Sequence, residues 1–127
     1  MKTFDYSLVK DPQYFKDGRM DAHSDHTYYR DGEEAKEKET SFRYDLNGIW
    51  KFHYARNYGS AIPGFEKEDY CCKDWDDIRV PAHIQMEGYD APQYANVQYP
   101  WEGHEDIHPG EIPEHFNPVA SYVKYFE

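Results

Sequence analysis

The sequence predicts an all-β antiparallel domain of sandwich or jelly-roll type, preceded by a largely irregular N-terminal arm. Three observations carry this expectation. Trp50, Phe52 and Tyr54 alternate with Lys51 and His53, the period-two pattern of a strand with one apolar face. Short β-prone segments recur near Ile78 and over residues 121–126, separated by loops rich in proline and tyrosine. No internal repeat and no alternation of strands with long helices is visible, so a parallel α/β sheet has no support.

Residues 1–43 read as an extended arm, polar with scattered aromatics such as Phe4, Tyr6, Tyr14, Phe15, Tyr28 and Tyr29. Residues 33–39 (EEAKEKE) are its one helix candidate, with Glu34 and Lys38 at i,i+4 spacing. This run has no apolar stripe, which predicts a short solvated helix. Residues 44–127 are expected to form the ordered portion. Asn47-Gly48 is a turn signal leading into the Trp50 strand. Asp74-Trp75-Asp76 reads as a turn with a buried aromatic. Ile78 and Val80 share a face of a short strand that stops at Pro81.

Composition narrows the function classes. Fourteen basic residues against 25 acidic ones give a net charge of −11. That balance argues against a nucleic-acid partner, which needs clustered Lys and Arg, and against an anionic membrane surface. No apolar run approaches the roughly 18 residues of a membrane span. The N-terminal MKTFDYSLVKDPQYF lacks the apolar segment of a signal peptide. Adjacent Cys71 and Cys72 give no disulfide framework. Together these predict a cytoplasmic protein with reduced thiols. Leu, Ile, Val and Phe number 20 of 127 residues, a fraction typical of disorder, yet there are 13 Tyr and three Trp. This conflict predicts that part of the core is supplied by sequence beyond Glu127, with the domain caught before its later strands.

Several motifs spell chemistry without its context. His104-Glu105-Asp106-Ile107-His108 matches H-E-x-x-H, but zinc binding needs that motif on a helix. Here Pro100, Gly103, Pro109, Gly110 and Pro113 crowd it, and a polar loop is expected. His23 and His26 form a second pair without ligand partners at zinc-site spacing. Cys71-Cys72 lacks the spacing of a redox motif. Glu66, Glu68 and Asp69 lie in a charged loop, not in the apolar pocket that an acid/base pair needs. No metal site is assigned.

Residues 80–100 (VPAHIQMEGYDAPQYANVQYP) are the most informative stretch. They hold three Tyr, three Pro, Gly88 and Asn96 in one long loop, and long loops of this kind usually carry function. Aromatic rings that stack on a pyranose and an amide that bonds its hydroxyls are the elements of a neutral sugar site. For most of these side chains a role in fixing the loop is expected. Asn96, between Tyr94 and Tyr99 with Val97 beside it, is the candidate ligand contact.

The order W..I.VP..IQM.GYDAP.Y.NV.YP over residues 75–100 closely resembles the sugar-binding domain of glycoside hydrolase family 2 β-galactosidases, a galactose-binding-domain-like jelly roll. Residues 46–52 resemble the "LNG.W.F" that opens that domain. Asn117-Pro118 with Tyr122 and Phe126 resembles its return to the sheet, and residues 19–26 (RMDAHSDH) resemble the arm. His83-Ile84 departs from the family, which more often has Trp before Gln85. The resemblance implies retaining hydrolysis of terminal β-D-galactosides by two Glu of a barrel outside these residues. It implies Mg²⁺ and Na⁺ held by residues absent here. It implies that Asn96 hydrogen-bonds the galactosyl ring with Val97 adjacent, and that the arm packs in a homo-oligomer. The partners expected are the galactoside and the remainder of the enzyme; the 127 residues alone are expected to be inactive. Two rival readings are a stand-alone carbohydrate-binding module and a fragment that complements a truncated enzyme.

Overall fold

The alternation around Trp50 builds the central strand of a three-stranded antiparallel sheet. The structure, a computed structural model, describes residues 5–92, 96, 99 and 101–127. Strand β1 is Gly48–Ala55, β2 is Asp76–Val80 and β3 is Val119–Val123, in the order β2-β1-β3. Both pairings are antiparallel: Trp50 lies opposite Ile78, Phe52 opposite Asp76 and Tyr122, and Tyr54 opposite Ala120. The all-β expectation therefore holds, with a small sheet, long irregular connections and, among the described residues, one short α-helix.

Directly opposed residues share a face, so the register sorts the side chains. One face carries Trp50, Phe52, Ile78 and Tyr122. Phe52 is fully buried, with its ring 4.5 Å from that of Tyr89 and 4.9 Å from that of Tyr122, both edge-on. Edge-to-face geometry is the arrangement that ring quadrupoles favour.

The opposite face, polar in sequence, is covered as well. Ser121 is 5% exposed and Ala55 is buried. His53 lies 5.4 Å from the Trp75 ring, and Lys51 reaches Asp77 at 2.8 Å and the Trp75 carbonyl at 3.4 Å. Phe65 and Tyr70 pack around Trp75 at 5.6 and 5.8 Å. Buried Cys72 places its sulfur 3.3 Å from the Tyr125 hydroxyl. Alternation reports the kind of side chain, not what a later segment lays over it.

By backbone contacts the chain divides into two units. The first joins residues up to Lys10 with residues 47–127. In it, a 3₁₀ turn at Tyr6–Lys10 sets the Tyr6 ring flat on Tyr58 at 4.0 Å, and the Asn117 amide donates to the Tyr6 hydroxyl at 3.2 Å. The second unit, Asp11–Leu46, contains helix α1, Gly32–Glu37. Asp31 caps it by accepting from the amides of Glu33 and Glu34 at 3.0 and 3.1 Å. No helix residue is buried. The i,i+4 partner of Glu34 is Arg30, at 3.5 Å, and not Lys38. Lys38 leaves the helix in the left-handed region (φ 59°), which turns its side chain away from that spacing.

Candidate functional site

The long connection between β2 and β3 is fastened at both of its roots. Downstream of β2, residues 83–89 close on themselves. The amide of Met86 bonds the His83 carbonyl at 2.9 Å, and that of Tyr89 bonds the Ile84 carbonyl at 3.2 Å. Gly88, at φ 91°, supplies the positive angle that lets the chain double back. Tyr89 is thereby delivered onto Phe52 and, at 6.4 Å, toward Tyr54. Burial, then a hydrogen bond to the Asp76 side chain, holds the Tyr89 phenol above its ordinary range. Tyr89 is half-buried against Phe52, whereas Tyr99 is 78% exposed and Tyr94 lies outside the described residues. The neighbouring Tyr54 phenol is also raised, first by burial and then by the Asp90 charge.

The second root is built by Glu105. One carboxylate oxygen accepts from the Glu114 amide at 2.9 Å; the other accepts from the amides of His115 at 2.8 Å and Phe116 at 3.3 Å. These backbone bonds hold the Glu105 carboxyl below the usual carboxylate range, with that of Glu114 contributing most. The segment that donates them is tied to the end of β1. The Asn57 side chain donates to the His115 carbonyl at 3.2 Å, and the Asn117 amide to the Arg56 carbonyl at 3.0 Å. The Arg56 guanidinium stands 5.7 Å over the Phe116 ring, which His104 stacks against at 4.0 Å. An open groove of about 420 Å³ is lined by Glu102, Gly103, His104, Glu105 and Asp106.

Between these roots Asn96 lies in a turn and is exposed. Val97, its companion in the sequence reading, lies outside the described residues. Residues 104–108 adopt no helix, and the H-E-x-x-H residues serve separate ends. Glu105 binds backbone amides, His104 stacks on Phe116, and His108 meets Glu111 through its ring at 3.3 Å and its amide at 2.9 Å. The His23 ring bonds the Asp21 carbonyl at 2.8 Å. Cys71 is exposed and Cys72 buried, both as free thiols. Among the described residues no group of three or more His, Cys, Asp or Glu is placed to hold a metal ion. Sequence reasoning missed Glu105 as an anchor, since its amide donors lie nine to eleven residues downstream with no local signature.

A sequence model described as "Glycosyl hydrolases family 2, sugar binding domain" matches residues 43–127. The chain is 53% identical, over its whole length, to a β-galactosidase of Halalkalibacterium halodurans, of which it covers 13%. It is 43% identical over 94% of its length to a β-galactosidase of Streptococcus thermophilus, covering 12% of that protein. It is 38% identical over 91% of its length to a β-galactosidase large subunit of Latilactobacillus sakei, covering 20%. The chain thus spans between 12% and 20% of the length of these relatives.

Proposed function

This chain belongs to glycosyl hydrolase family 2 through that family's sugar binding domain, and from that membership we propose that it is the N-terminal sugar-binding portion of a β-galactosidase. The whole enzyme hydrolyses terminal β-D-galactosides with retention, using two Glu of a barrel carried by the remainder of the enzyme. Support comes from the β-galactosidase relatives, which match this chain along a small part of their length. In this reading residues 1–43 are the arm, engaged in a homo-oligomer, and residues 44–127 the sugar-binding portion. The enzyme works in the cytoplasm, which the free Cys71 and Cys72 suit. In this reading the metal ions of the reaction, Mg²⁺ and Na⁺, are held elsewhere in the enzyme.

The observation that carries the site assignment is the contrast within one loop. Tyr89 packs on the buried Phe52 ring and Glu105 binds backbone amides, while Asn96 sits exposed in a turn between them. A loop fastened at both roots presents its tip at low entropic cost, and an Asn amide both donates to and accepts from sugar hydroxyls. Asn96→Ala in the full-length enzyme is expected to lower kcat/KM for a galactoside by about 5- to 150-fold, the worth of roughly 1–3 kcal/mol. An unchanged kcat/KM would remove Asn96 from the sugar site.

A further inference from the structure

We propose that Glu105 is a positioning residue for galactoside hydrolysis, holding the Asn96-bearing loop where its amide meets the sugar; this rests on the reading of Asn96 just given. Glu105 lies nine residues beyond Asn96. Its two oxygens take the amides of three consecutive residues, Glu114, His115 and Phe116, at 2.8–3.3 Å. Convergent amides on one carboxylate form a charge-assisted clasp with little play. The clasped segment is itself joined to the end of β1 through Asn57 and through the Arg56 carbonyl. Glu105 therefore links the loop's exit to the strand that forms the core.

The described residues between Tyr99 and Glu105 are bonded to one another in successive turns. The Tyr99 amide donates to the Glu102 carboxylate at 3.1 Å, and the Glu102 amide returns to the Tyr99 carbonyl at 3.1 Å. The amides of His104 and Glu105 both reach the Trp101 carbonyl, at 3.0 and 3.3 Å. A shift at Glu105 is passed through these successive turns as far as Tyr99, three residues from Asn96. A displacement of about 1 Å at a substrate-positioning group is enough to cost a large factor in rate. The H-E-x-x-H match thus acquires a use unrelated to metal: its Glu is a backbone clasp.

The test is a double-substitution cycle in the full-length enzyme, reading kcat/KM for a galactoside together with the thermal midpoint. Glu105→Ala alone is expected to lower kcat/KM about tenfold, and to add less than about twofold when Asn96 is already Ala, since its effect runs through that amide. Glu105→Gln keeps one accepting oxygen and should fall between wild type and Ala. If Asn96→Ala is costly but Glu105→Ala is silent, or if the two factors multiply, the positioning role is refuted and the sugar contact stands. If Asn96→Ala is silent, the sugar contact fails and the positioning role with it. Should Glu105→Ala not fold, Glu105→Gln decides by the same comparison.

Discussion

At Glu105 the charge on one carboxylate sustains three backbone hydrogen bonds, so its protonation has a defined consequence. The folded chain holds this group below the ordinary glutamate value of about 4.5, first through the Glu114 amide. Below that ordinary value the unfolded chain takes up the proton before the folded chain does. Stability therefore rises with pH through this window. The contribution is fully present above about pH 4.5 and is lost as pH falls through the lower folded value. Glu111, held down mainly by the His108 amide, acts in the same direction. Glu105→Gln is expected to flatten the acid limb of the unfolding midpoint plotted against pH, leaving the neutral region's slope unchanged; an unaltered acid limb would contradict the clasp. Residue by residue, the sequence was uneven evidence. Asn96 stood out because its neighbours are aromatic and the motif around it is particular. Glu105 did not, because its partners are main-chain amides, which every residue except proline carries.

Among the elements, the strands were legible and their coverings were not. Trp50, Phe52 and Tyr54 announced β1 by period alone, and Pro81 marked where β2 stops. The helix was legible from its charges, but its C-terminal end was not. Lys38 adopts a left-handed turn that i,i+4 arithmetic does not foresee. Nor does alternation say that Trp75 will cap His53 on the polar face of β1. The energetic centre of the sheet is Phe52, with no exposed surface and two edge-on ring partners. Phe52→Ala is expected to cost about 3–5 kcal/mol, the usual range for emptying a buried aromatic site. Because Tyr89 packs directly on Phe52, the same change should increase amide exchange through residues 84–89. A loss below about 1 kcal/mol, read by denaturant unfolding, would show that the Phe52 cluster does not anchor the loop.

For the whole molecule, the decisive proportion is length. A chain that covers 12–13% of two β-galactosidases to which it is 43% and 53% identical carries a part of that architecture. Purified by itself, the 127-residue chain is expected to hydrolyse no galactoside, and turnover in a galactoside assay would contradict the division of labour proposed above. In the reading proposed above, what the part contributes is a fastened loop that bears the exposed Asn96 amide. That claim is tested most directly by assaying the full-length enzyme and its Asn96→Ala variant on a galactoside and on its monodeoxy analogues. If Asn96 bonds a ring hydroxyl, removing that hydroxyl should erase the penalty of the substitution, while the other analogues keep it at about 5- to 150-fold. A penalty of the same size on every analogue, or none on any, would contradict the account.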